Sequence, residues 1–165
     1  MKERALRNIV ILIILVLGIG LVVVRFIQDS DNVFSATVTG RSMIPSFEPN
    51  DEVKIDTEYY KNYSPEIGDF VAFISPDKDE LTIKRIQGVE GDVMTIKERA
   101  IIRGDVLIVE GDIGVKNYFE LDRQYRIPKN QVFLLGDNVS NSTDSRDFGF
   151  ISVDQLIGRV ISNIR

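Results

Sequence analysis

Three stretches of the chain hold side chains whose types and spacing fit covalent chemistry. In residues 38–47, Ser42 stands two positions after Gly40, at the end of a β-rich run and before the turn fixed by Pro45. Such a setting exposes a hydroxyl and can present the serine's own backbone N–H to a developing oxyanion. In residues 81–92, Lys84 lies in an apolar run whose alternation puts Lys84, Ile86 and Gly88 on one face and Ile83 and Arg85 on the other. A lysine directed into apolar surroundings loses hydration, its pKa falls, and the neutral amine can act as a base. Residues 136–149 form a loop dense in hydroxyls and amides between two apolar runs, and a hydroxyl there could orient such a lysine. Each stretch also fits a plainer structure: a loop serine, an edge-strand lysine that discourages aggregation, and a solvated turn or an oxygen-lined cation site. The spacing of an EF-hand is absent from the third.

Composition narrows the chemistry. The 165 residues include no Cys, no His and no Trp. A Ser-His-Asp triad and a Cys-His dyad are therefore excluded, and a zinc site of the usual ligands is disfavoured. Acid and base work near neutral pH falls to Lys, Asp, Glu, Tyr or a chain terminus. Net charge is −5, with +3 over residues 1–27 and −8 over the remainder. A body so acidic is a poor match for nucleic acid.

The elements that must position these groups are short and β-rich. Candidate strands are 34–38, 52–55, 70–73, 81–88, 92–97, 100–102, 106–109, 131–135 and 156–163, separated by Gly, Pro, Asn and Asp. No long amphipathic helix stands out after residue 30. Strands at this spacing predict an all-β sandwich or barrel-like body. Residues 98–126 are less regular and rich in charge, which suggests a small inserted subdomain.

Ahead of that body, residues 9–24 are 16 consecutive residues without a polar side chain. Extended to residues 6–27, a helix spans about 33 Å, enough for a hydrocarbon core of about 30 Å. A cleaved leader would have a shorter apolar core and an Ala-x-Ala site, for which Val33-Phe34-Ser35 is a poor substitute. A buried core helix is unusual with apolar residues all round. The sequence therefore predicts a cytoplasmic N-terminus (1–8), a membrane anchor (9–27), a polar linker (28–34) and a folded domain (35–165). Lys2, Arg4 and Arg7 precede the span, while Asp29 and Asp31 follow Arg25 beyond it. That asymmetry predicts a body outside the cytoplasm.

Taken together and in order, the motifs resemble those of the type I signal peptidases, membrane-bound Ser-Lys proteases that release secretory proteins from their signal peptides. The resemblance rests on the apolar N-terminal segment, Gly40 to Pro45, Gly68 to Phe73, Ile83 to Ile86 with Gly88 and Gly91-Asp92, Pro128, Val132 to Asn138, and Ser142 to Arg146 with Gly149. It covers nearly all of the chain except residues 98–126. It implies a mainly β, signal-peptidase-like antiparallel catalytic body with a small inserted β subdomain, preceded by one transmembrane helix. It implies Ser42 as nucleophile, Lys84 as general base and Ser142 as the hydroxyl that orients the lysine. Asp144 with Arg146, and Asp137 with Arg85, match two bracing ion pairs. Val38, Met43, Phe47, Ala72 and Ile83 fall where the family lines its substrate pockets, although each is also a natural core residue. Met43, Ile44 and Phe47 are expected to reach the membrane interface. No cofactor or metal is implied. The implied partners are signal-peptide-bearing pre-proteins, the lipid bilayer and the secretion machinery. One departure concerns Gly40, where some members carry a hydroxyl residue that assists the oxyanion.

Other readings are a self-cleaving repressor-type Ser-Lys protease, a peptidase dedicated to one surface-assembly system, and a non-enzymatic assembly chaperone. The apolar segment and the acidic body oppose the first, and the presence of both Ser42 and Lys84 opposes the last.

Overall fold

The computed structural model of the protein describes residues 14, 32–113 and 118–164. The expected segment 1–8, the anchor 9–27 apart from Ile14, and residues 28–31 of the linker lie outside the described residues. Among the described residues no helix is long and apolar enough to cross a membrane.

Among the described residues, eleven strands make two antiparallel sheets. In chain order they are β1 (Val33–Thr37), β2 (Glu52–Asp56), β3 (Phe70–Ile74), β4 (Leu81–Gly88), β5 (Val93–Lys97), β6 (Ala100–Arg103), β7 (Val106–Glu110), β8 (Arg123–Arg126), β9 (Gln131–Leu135), β10 (Ile151–Ser152) and β11 (Leu156–Ile164). The larger sheet runs β1-β2-β11-β3-β4-β9-β10 and the smaller β7-β6-β5-β8. Two four-residue helices, α1 (Tyr59–Asn62) and α2 (Ser145–Phe148), lie in connections.

The burial pattern explains why β3 and β9 read as continuous apolar runs rather than alternating ones. Val71 and Phe73 join Ile86, Val132, Leu134 and Ile151 in one core cluster. Ala72, between them in sequence, joins Met43, Phe47, Val53, Ile55 and Val160 in another. β9 divides the same way: Val132 and Leu134 enter the first cluster, while Phe133 and Leu135 pack with Met94, Ile96, Ile101, Ile113, Phe119 and Ile127 of the smaller sheet and its connections. Strands covered on both faces need apolar side chains at successive positions. Gly88 marks the closest approach at this junction, since a Cβ there would lie 2.6 Å from Ile127 Cδ1 and 2.9 Å from Met94 Sδ.

The smaller sheet spans residues 93–126. It takes in 93–97, which the sequence groups with the preceding strand, and β8, which the sequence does not signal. Arg123-Gln124-Tyr125-Arg126 is mostly exposed and polar, and its strand character comes from pairing with β5, with Met94 opposite Tyr125.

Candidate active site

Residue 84 sits in β4 opposite Val71 of β3, whereas Ile83 sits opposite Ala72. Cross-strand partners share a face, so Lys84 points with the buried Val71 and Ile83 with the buried Ala72. Lys84 is 2% exposed although it is a lysine. Ser42 belongs to the turn that follows β1, and Met43 and Phe47, 2% and 4% exposed, fasten that turn into the core. The result brings Lys84 Nζ to 2.7 Å from Ser42 Oγ across 42 residues of sequence. The ammonium form also donates to the carbonyl of Ile83 at 3.2 Å.

Burial lowers the Lys84 pKa from 10.5 to about 8, because desolvation penalises the charged form. The Asp144 carboxylate opposes this, with smaller effects from Lys78, Asp77 and Arg146. Asp144 is itself committed elsewhere. Its oxygens accept Nε and Nη2 of Arg146 at 2.8 Å each, and its Oδ2 also accepts the Gly136 N–H at 3.1 Å. Both partners are buried, at 0% and 2% exposure. Arg146 donates further to the carbonyls of Ile113, Val139 and Ser142. This paired, fully bonded arrangement is what makes two buried charges tolerable.

The second expected ion pair also forms. Arg85 grips Asp137 through two parallel bonds of 2.8 and 2.7 Å and lies 4.0 Å over the Phe70 ring. Ser46 donates to Asp137 and accepts from Arg85 at 3.1 Å, which ties the serine-bearing turn to β4 and to the end of β9.

Ser42, Lys84 and Ser142 line one open groove of about 430 Å³. Extended residues 36–39 form one flank and residues 81–84 another. β4 pairs with β9 only from Arg85 onward, so residues 81–84 carry an edge not used by β9. An extended peptide can add to such an edge through backbone hydrogen bonds. Of the expected pocket residues, Val38, Met43 and Ile83 line the groove. Phe47 and Ala72 do not; they lie in the apolar cluster that Met43 also enters. The burial of Met43 and Phe47 also corrects the expectation that they reach a membrane interface: their apolar surface is already spent on the core.

Four residues of the site carry no separate signal in the sequence reading. Ser46 is one. Ser145 accepts the Leu134 N–H at 2.8 Å and so stitches α2 to β9. Asn138 bonds the carbonyls of Arg41 and Ser42. Gly136 is the fourth: a Cβ there would lie 2.3 Å from Ser142 Oγ and 2.6 Å from the Ser42 carbonyl oxygen. The run Gly136-Asp137-Asn138 reads as turn punctuation, and its contacts to residues about 95 positions earlier leave no local trace.

That close approach gives a test. Gly136→Ala is expected to destabilise the protein by about 2 kcal/mol, the usual cost of overpacking, and to lower activity. Gly40→Ala serves as the control, since a Cβ at Gly40 meets nothing within 4 Å. Denaturant midpoints of the two variants check this, and equal midpoints would refute it.

The arrangement supports nucleophilic attack by a serine hydroxyl whose proton passes to a neutral amine. The family model described as "Signal peptidase, peptidase S26" matches residues 5–164. Curated relatives include the chloroplastic thylakoidal processing peptidase 1 of Arabidopsis thaliana, 26% identical and covering 76% of this chain. A probable signal peptidase I-1 of Synechocystis is 27% identical over 73% of the chain. Signal peptidase IB of Staphylococcus aureus is 29% identical over 84% of the chain. The chain spans 40%, 65% and 81% of the lengths of these three. A crystal structure of a signal peptidase I from Enterococcus faecalis aligns with 25% identity and a TM-score of 0.45, covering 61% of this chain and 98% of that one.

Proposed function

Because the chain belongs to the signal peptidase family, peptidase S26, we propose that it is a serine endopeptidase that removes signal peptides from exported pre-proteins with a Ser42–Lys84 dyad. The observation that carries this reading is the 2.7 Å contact between a serine hydroxyl and a buried amine whose pKa is drawn down to about 8.

In the proposed mechanism, the scissile peptide lies extended along residues 81–84. Neutral Lys84 accepts the Ser42 proton as Oγ adds to the substrate carbonyl carbon. The tetrahedral intermediate places its negative charge on the former carbonyl oxygen, where the Ser42 N–H can receive it. Lys84 then returns its proton to the leaving amine nitrogen, and the C–N bond breaks to give an acyl-enzyme. Water, deprotonated by Lys84, adds to the ester carbonyl carbon; the C–Oγ bond then breaks as Lys84 returns the proton to Ser42 Oγ, which frees the acid product and restores the enzyme. Ser142, in the same groove and packed against Gly136, is proposed to hold the amine in line. The ion pairs Asp144–Arg146 and Asp137–Arg85 brace the two loops that carry Ser142 and Ser42. Val38, Met43 and Ile83 are proposed to shape shallow pockets for small side chains near the cut.

The same reading includes a single N-terminal membrane anchor over residues 9–27, with the catalytic body outside the cytoplasm. It is supported by the apolar run and by the charge asymmetry around it. The apolar core of a signal peptide would then bring its scissile bond to the membrane surface. The test is incubation of detergent-solubilised full-length chain with a pre-protein, followed by sequencing of the new N-terminus. Cleavage after a small residue is expected, with a second small residue two positions before it. An intact pre-protein, or cleavage elsewhere, would sink the reading.

A further inference from the structure

Asn138 does not itself line the groove, yet it holds the backbone on both sides of the Ser42 Cα. Its side-chain Nδ2 donates to the carbonyl of Arg41 at 3.0 Å, and its backbone N–H donates to the carbonyl of Ser42 at 2.9 Å. The Arg41 carbonyl and the Ser42 N–H belong to one planar peptide unit. That unit is trans, since the cis bond among the described residues is at Ile44-Pro45. In a trans unit the C=O and N–H point in opposite directions. Fixing the carbonyl toward Asn138 therefore aims the N–H the other way. Arg41 and Ser42 line the groove and Asn138 does not, so the other way is the groove side. Among the described residues no acceptor takes the Ser42 N–H.

Asn138 is well placed to act as a fixed support. It follows Asp137, which Arg85 and Ser46 lock in place. Its own carbonyl accepts the Asn141 N–H at 2.9 Å, and its Oδ1 accepts the Ser140 hydroxyl at 3.5 Å. The amide's oxygen end is thus met by a donor and its nitrogen end by an acceptor, which selects one orientation of the two. At Gly40 no side-chain hydroxyl supplements the backbone donor.

We propose that Asn138 is a positioning residue that aims the Ser42 N–H at the oxyanion. The proposal rests on the peptidase reading above. When Ser42 Oγ adds to the substrate carbonyl and its proton moves to Lys84, the carbonyl's π electrons settle on oxygen. A donor already aimed at that oxygen stabilises the charge without reorganising. Substrate binding, which precedes that charge, does not depend on it.

The test uses the full-length chain in detergent and a peptide that the wild type cleaves. Asn138→Asp keeps size and the backbone bond to Ser42 but sets a carboxylate oxygen against the Arg41 carbonyl; Asn138→Ala removes the donor. Both are expected to lower kcat by about 10- to 100-fold, with KM nearly unchanged and the same pH midpoint as wild type. A peptide aldehyde, whose adduct carries the oxyanion, should lose affinity in step with kcat/KM, while an uncleavable peptide of the same sequence should bind as before. A kcat within about twofold of wild type, a loss confined to KM, a displaced pH midpoint, or equal weakening of both inhibitors would each overturn the proposal. So would unfolding of both variants at the assay temperature, which would make Asn138 structural. A wild-type chain that cleaves nothing overturns the peptidase reading itself, and this role with it.

Discussion

Under the proposed dyad, Ser42→Ala and Lys84→Ala are each expected to lower pre-protein cleavage by at least about a thousandfold, with the double variant no worse than either single one. A nucleophile and its base act as a unit, so removing either removes the covalent route. The chain has no His and no Cys to substitute. Lys84 Nζ lies 2.7 Å from Ser42 Oγ, within reach of its proton. Neither change should unfold the protein. Ser42→Ala removes one oxygen from a half-buried turn held by Met43 and Phe47. Lys84→Ala vacates space but also removes a desolvated amine. Single-turnover cleavage of one pre-protein, with thermal unfolding run in parallel, checks both statements. Retained cleavage by folded Lys84→Ala protein would remove the lysine from the mechanism. Additive losses in the double variant would show that the two residues act separately.

Lys84→Met raises folding stability at pH 7 by on the order of 3 kcal/mol, and the gain shrinks toward zero near pH 11. The sign follows from the direction of the pKa shift. The folded-state value, about 8, lies below the ordinary 10.5 because burial disfavours the ammonium form. Below pH 8 both folded and unfolded chains hold the proton, and the folded state bears the full cost of the buried charge. Between about 8 and 10.5 the unfolded chain holds more protons, so stability rises with pH. Above 10.5 both states are neutral and the cost is gone. Methionine fills similar space without a charge. Denaturant unfolding of wild type and variant at pH 7 and pH 10.5 reads the difference, and the other titrating groups cancel in the comparison. An equal gap at the two pH values would mean that Lys84 is not desolvated as described.

Activity follows the same ionisation. The neutral fraction of Lys84 rises about tenfold per pH unit below 7 and levels off above about 9, given a midpoint near 8. kcat/KM should trace that curve. The stability cost and the basicity have one cause: a lysine left in water would cost nothing and would be almost wholly charged at neutral pH.

Local pattern carried much of the fold. The strands at 81–88 and 131–135 match the observed bounds of β4 and β9, and the other expected strands differ by a residue or so at their ends. The anchor expected over residues 9–27 rests on length and hydropathy alone, and apart from Ile14 it lies outside the described residues. β8 and β10 escaped because their residues carry no apolar alternation of their own; partners far away in sequence make them strands. The small sheet begins at 93 rather than 98 for the same reason, because β5 is assigned by which strands it pairs with and not by its composition.

At the site, the sequence by itself determined the chemistry available. The absence of His and Cys left base work to Lys, Asp, Glu, Tyr or a terminus, and the family resemblance carried by the motifs pointed to Ser42, Lys84, Ser142 and the two ion pairs. Tertiary structure alone decided the distance between Ser42 and Lys84 and the drop in the lysine's pKa. A buried position is a property of everything that covers it, and Lys84 alternates like an ordinary strand lysine until the turn at Ser42 closes over it. The same holds for Phe47 and Ala72, which share the composition of pocket residues but lie in the core cluster that Met43 also enters, outside the groove lining. Asn138 and Gly136 took their roles from contacts about 95 residues away, and periodicity cannot register a contact at that range.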